Sequence, residues 1–154
     1  MRSRLAKLYS RRNVWFDWIR CSYSPSITTG LYWTKCEVEV TDEFADWWGR
    51  LAIEEQRSVA VSVGLLERMG PQLPFPFSSG ISTSRHSHMR ELRIQHGGRP
   101  YRVLYAFDPR RMAILLLGGD KTGQARWYEV FVPRADALYD DHLATLREEG
   151  LIDG

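Results

Sequence analysis

In residues 89–107, MRELRIQHGGRPYRVLYAF, apolar and polar side chains alternate with the two-residue period of a strand on both sides of Gly97-Gly98. Leu92 and Ile94 point one way, and Glu91, Arg93 and Gln95 point the other. Beyond the glycines, Tyr101, Val103, Tyr105 and Phe107 share a face, while Arg102 lies opposite with Leu104 and Ala106. The pattern predicts a β-hairpin turned by the two glycines. Upstream, KCEVEV (35–40) alternates as a short strand. Thr41 or Asp42 then caps a helix, and Phe44, Trp47, Trp48 and Leu51 follow at i, i+3, i+4, i+7 as one apolar stripe. A second helix beginning near Glu54 carries Val59, Val63 and Leu66, and Gly70-Pro71 stops it. Residues 72–88 have prolines, serines and glycine and no period, so they read as a loop. After the hairpin, Asp108-Pro109 begins a turn, and MAILLLGG (112–119) is apolar enough for a central strand buried on both faces. A last helix starts around Pro133 with a buried stripe of Ala135, Leu138, Tyr139, His142, Leu143 and Leu146, and Gly150 ends it. The order β-α-α-β-β-β-α describes a small α+β domain, with helices packed on one face of a mostly antiparallel sheet.

Residues 1–35 lack this regularity. They mix arginines with Trp15, Phe16, Trp18, Tyr23, Tyr32 and Trp33. They read either as an added flexible arm or as the product of a mis-called start, with translation truly beginning near Leu31. The domain proper is then 36–154. A chain of 154 residues, 44% hydrophobic and 26% charged, is of ordinary soluble globular composition. The longest purely aliphatic run, Ala113 to Leu117, is far too short to cross a bilayer. The basic N-terminus lacks an apolar core and a cleavage site, so no signal peptide is read and a cytoplasmic location is expected. Cys21 and Cys36 have no metal-ligand spacing and fit two reduced thiols.

The net charge of +2 conceals an alternation. Residues 1–36 and 85–126 each carry a net +6, and residues 37–84 and 127–154 each carry −5. Such blocks point to an anionic partner better than the total does. The second basic block coincides with the hairpin. Arg102 is its most telling member, because it lies mid-strand on a face shared with Leu104 and Ala106, where an unpaired charge is costly. Arg90, Arg99, Arg110 and Arg111 flank turns and are by default solvated. His86 and His88 form an HxH without further ligands, so no metal site is expected. GGDKTG (118–123) lacks the full phosphate-loop pattern but makes sense as a turn delivering Lys121 to the end of the apolar strand.

The stretches HMRELRIQHGGRPYRVLYAFDPRRMAILLLGGDKTG (88–123), RWYEVFVPRADALYDDHL (126–143) and GPQLPFP (70–76) are similar to the RelE/HigB superfamily of toxin ribonucleases, and more narrowly to its phage-derived Gp49-like branch. The resemblance runs from about Cys36 to the C-terminus. It implies a sheet with helices on one side and a basic groove on the other. It further implies cleavage of mRNA, typically on the ribosome, without a metal or other cofactor, by attack of the RNA 2′-hydroxyl on the adjacent phosphate. The implied partners are mRNA, the ribosome and a co-encoded helix-turn-helix antitoxin; no membrane is implied. By motif, the catalytic positions correspond to Arg93, Arg102, Lys121 and Tyr128; the expected RNA-binding set is Arg90, Arg93, Arg99, Arg102, Lys121 and Arg126, which joins neighbouring cations of the basic block to three of these. Where family members often carry a run of lysines, this chain has Glu91 and Gln95. Arginine suits phosphate because its planar fork binds two oxygens and stays charged. Neighbouring cations would lower the pKa of Tyr128 or Lys121 and so supply a proton acceptor. The alternative is a non-catalytic RNA- or ribosome-binding regulator that retains the groove.

Overall fold

A computed structural model describes residues 36–154; the reading of residues 1–35 as a separate arm lies outside them. The elements are β1 (Val38–Val40), α1 (Asp42–Arg50), α2 (Ile53–Met69), β2 (Ser78–Gly80), β3 (Arg90–His96), β4 (Arg99–Phe107), β5 (Ala113–Asp120) and α3 (Trp127–Glu148). A five-stranded sheet runs β1-β5-β4-β3-β2, with β1 parallel to β5 and every other pair antiparallel. The α+β class and the expected order are therefore present, with one addition. Within the stretch read as loop, Ser78–Gly80 pairs with Arg90–Leu92 as a short edge strand. Ser-Ser-Gly carries no strand pattern of its own, and only its neighbour's backbone makes it one.

Alternation sorts the sheet's side chains onto two cores. Val38, Val40, Leu92, Ile94, Tyr101, Val103, Tyr105, Ala113 and Leu115 meet Phe44 of α1 and Val59, Val63 and Leu66 of α2. Leu104, Ala106, Ile114, Leu116 and Leu117 meet Trp127, Val132, Ala135 and Tyr139 of α3. The helices thus divide between the faces rather than sharing one, and α3 lies on the side that carries Arg102. The physical reason is that β4 and β5 are apolar on both faces, so both must be covered.

Two local details set the positions of the site residues. The first is a bulge. Leu104 pairs with Leu117 but Tyr105 with Leu115, so Leu116 is the extra residue. Thr41 Oγ1 donates a hydrogen bond to the Leu116 carbonyl (2.6 Å) and accepts one from the Phe44 backbone N–H (3.1 Å), so Thr41 caps α1. After the bulge, Gly118 faces α1 and Gly119 faces α3. A Cβ on Gly118 would fall 2.2 Å from the Trp47 ring, and one on Gly119 would fall 3.0 Å from Trp127 Nε1. The two glycines are there for close helix–sheet approach. The second detail is the start of α3, six residues before Pro133, which sits inside the helix. The segment 127–132, WYEVFV, has strand-like composition, and burial of Trp127 and Val132 overrides it. At the other end of the sheet, buried Asp108 accepts hydrogen bonds from Arg110 and from His142 of α3, and Arg110 also reaches Glu39 of β1. Burial opposes ionisation of Asp108, but those bonds outweigh it and bring the carboxyl below its ordinary range.

Gly118→Ala is expected to destabilise the protein by about 1–3 kcal/mol through overpacking against Trp47. Urea denaturation checks this, and Trp47→Leu in the same chain should recover part of the loss.

Candidate nucleic-acid interface

The hairpin turns at Gly97 and Gly98, both at positive φ, and sets Arg93 directly across from Arg102. Both project to the α3 face, as does Glu91, which pairs with Leu104. Glu91 is only 3% exposed, and it organises what surrounds it. Its Oε1 accepts from Ser79 Oγ (2.8 Å) and Arg93 Nη1 (3.2 Å), and its Oε2 accepts from Tyr128 Oη (2.7 Å) and lies 3.8 Å from Arg102 Nε. Lys121 stands with its Nζ 4.9 Å from the centre of the Tyr128 ring. The four residues expected to be catalytic, Arg93, Arg102, Lys121 and Tyr128, therefore meet in one cluster. The cluster spans the sheet from β3 across β4 to the end of β5 and the first turn of α3.

Their exposures differ in a way that matters. Arg93 is 31% exposed at its side chain, whereas Arg102 is 4% exposed. Arg102 Nη1 donates to the Tyr101 carbonyl (2.9 Å), while its Nε, like Trp127 Nε1, has no hydrogen-bond partner among the described residues. Arg93 and Lys121 are the cations that face solvent, and Arg102 supplies charge from behind.

The remaining basic residues lie elsewhere. Arg90 follows the parity of Leu92 and Ile94 onto the α2 face and donates to Ser78 Oγ (3.1 Å), which is bonded in turn to Tyr105 Oη. Arg99 closes the hairpin against Asp120 (3.3 Å) and Glu55 of α2 (3.7 Å), with its guanidinium 5.4 Å from the Tyr101 ring centre. Arg126 is exposed and pairs with Glu129 in the first turn of α3. His86 and His88 bond Asp140 and Tyr139 of α3, which straps their loop to that helix.

Lys121 is delivered by a built turn. Its N–H donates to the Pro100 carbonyl (2.8 Å), and Asp120 Oδ1 accepts from the Thr122 N–H (2.8 Å). The proton chemistry departs from expectation. Burial first, then the hydrogen bond and charge of Glu91, push the Tyr128 phenol up, and Arg102 opposes this only in part. Tyr128 is held protonated, not poised as a tyrosinate. Reasoning from the sequence missed Glu91, Ser79 and the ring of Phe75, which lies 5.2 Å from the Arg93 guanidinium. The signal for Glu91 was present: its parity matches that of Arg93.

Residues 46–140 match the family model of phage-derived Gp49-like proteins. The chain belongs to the Gp49-like family. Every member of the Glu91 cluster falls inside the matched segment. Among relatives, this Gp49-like chain is 42% identical over 100 residues to a Mycobacterium tuberculosis protein provisionally named toxin HigB3, covering 64% of this chain and 86% of that one. It is 36% identical over 109 residues to a second protein of that organism, provisionally named toxin HigB2, covering 70% of this chain. The aligned part spans about half of that longer relative, 54%. No solved structure matches significantly. Among the described residues, no helix is long and apolar enough to cross a membrane.

Arg102→Ala removes a buried cation beside a buried carboxylate. It is expected to cost about 3 kcal/mol, the low end for such a pair, because Ser79, Arg93 and Tyr128 still hold Glu91. Arg93→Ala, at the open edge, should cost at most about 1 kcal/mol. Urea denaturation of the two variants checks the contrast.

Folding raises the Tyr128 phenol above its unfolded value near 10. The stability it contributes is therefore complete below that value and lost as pH rises through the higher folded one. Tyr128→Phe should show a shallower loss of stability above pH 10 than the wild type, measured by thermal melting across that range. Tyr101 and Tyr139, each pushed up to about 12, contribute to the alkaline loss in both proteins.

Proposed function

We propose that this protein is the toxin of a toxin–antitoxin module, a metal-independent endoribonuclease that cleaves mRNA on the ribosome. The observation that carries the reading is the cluster itself: three cations and one carboxylate converge with a tyrosine on one sheet face, and two of the cations face solvent. The family and the relatives named toxin HigB support the same reading.

Attack by a 2′-oxygen on the adjacent phosphorus forms a 2′,3′-cyclic phosphate and releases a 5′-hydroxyl. The phosphorane gains negative charge, which Arg93 and Lys121 offset directly and Arg102 offsets from behind. A proton leaves the 2′-hydroxyl and one reaches the departing 5′-oxygen. Tyr128 is the half-buried group bonded to Glu91, so it is the side chain through which a proton passes between RNA and the buried carboxylate. Glu91 thus replaces part of the family's positive charge with an acceptor. A helix-turn-helix antitoxin is the neutralising partner, and the protein acts in the cytoplasm.

The test is induced expression with growth measurement and mapping of transcript 5′-ends. Wild type should arrest growth and leave 2′,3′-cyclic phosphate termini. Arg93→Ala should stay folded, melting within a few degrees of wild type, and lose about 10²–10³ in cleavage rate, and Arg93→Lys should recover only part of this because the bidentate fork is lost. Cleavage should persist in EDTA, assayed on free RNA with a separate ribosome control. Growth arrest without new 5′-ends would overturn the nuclease and favour a regulator that binds through the same groove.

A further inference from the structure

We propose that Phe75 and Arg93 form a stacking subsite for one nucleobase of the bound RNA strand, beside the phosphate held by the Glu91 cluster. The inference rests on the ribonuclease reading and deepens it. Phe75 is 69% exposed, the most open of the exposed large apolar side chains among the described residues, and Phe77, two residues on, is 44% exposed.

The segment that carries Phe75 is anchored. Leu73 is buried, the N–H groups of Phe77 and Ser78 both donate to the Pro74 carbonyl (3.0 and 3.1 Å), and the Arg93 N–H donates to the Phe77 carbonyl (2.9 Å). The ring is therefore presented by a fixed turn and not by a loose tip.

Its neighbour argues for the ligand. The Arg93 guanidinium sits 5.2 Å from the ring centre and also donates to Glu91 Oε1 (3.2 Å). One side of the Phe75 ring thus lies against a cation of the phosphate groove, while the rest stays open to solvent. A flat, apolar, exposed ring beside an arginine that faces the phosphate position matches the alternating chemistry of a single strand, base then phosphate. Base–aromatic stacking tolerates any base, because each has a π face. An apolar protein partner would gain nothing from the guanidinium against the ring. A base can stack on the ring while its own phosphate meets the arginine.

The experiment uses the full chain and an oligoribonucleotide made uncleavable by a 2′-deoxy substitution, followed by fluorescence anisotropy. A series of the same probe carries one abasic site at each successive position. For wild type, one abasic position next to the cleavage site should weaken binding on the order of tenfold, within the range for loss of one stacked base. Phe75→Ala should bind the intact probe equally weakly and be indifferent to that abasic position. Phe75→Trp should restore binding, and its emission should be quenched on adding the probe. If Phe75→Ala remains as sensitive as wild type to every abasic position, or cleaves the same sites in a translated message at the wild-type rate, the subsite is overturned while the ribonuclease reading stands. If Phe75→Ala spares RNA but loses the antitoxin complex, the ring is a protein contact and the subsite is overturned. A wild type that neither binds the probe nor cleaves a translated message overturns both readings.

Discussion

A carboxylate taken out of water must find cations and hydrogen-bond donors, and Glu91 finds them from four separate elements. Ser79 comes from the edge strand, Arg93 from the same strand as Glu91, Arg102 from the next, and Tyr128 from the C-terminal helix. Each of these groups has its position fixed because the buried charge would otherwise be stranded. The same carboxylate explains why two arginines can stand directly opposite one another across a hairpin, where like charges would repel. It explains too why Tyr128 stays protonated among cations. Positive charge facing the solvent is then carried by Arg93 and Lys121, the two members that the carboxylate does not bury.

Much of the frame was legible because period-2 alternation is a strong signal when both strands of a hairpin carry it and glycines mark the turn. The positions of Arg93 and Arg102 followed from it. Parity would also have removed Arg90 from the groove, since it shares a face with Leu92 and Ile94; counting charge without parity kept it in. Arg99 could not be sorted that way. Its partners, Glu55 and Asp120, are brought to it by packing.

Other features were illegible for physical reasons. β2 has no pattern because an edge strand of Ser-Ser-Gly owes its form to the hydrogen bonds of β3. α3 begins early because Trp127 fills the space that Gly119 leaves, whereas the aromatic and β-branched residues that dominate 127–132 taken alone favour a strand. The shift of Tyr128 runs opposite to the expected sense because burial, together with a carboxylate 2.7 Å away, outweighs an arginine, and that carboxylate lies 37 residues back along the chain.

The bond from Thr41 Oγ1 to the Leu116 carbonyl joins residues 75 positions apart, and it holds the bulge that orients Gly119 and the turn of Lys121. The cluster therefore depends on contacts between residues synthesised well apart in time. β1 has no partner until β5 exists, and Glu91 lacks one of its donors until the first turn of α3 has been added. A ribosome making this protein carries no assembled cation cluster on the growing chain until Tyr128 has been added.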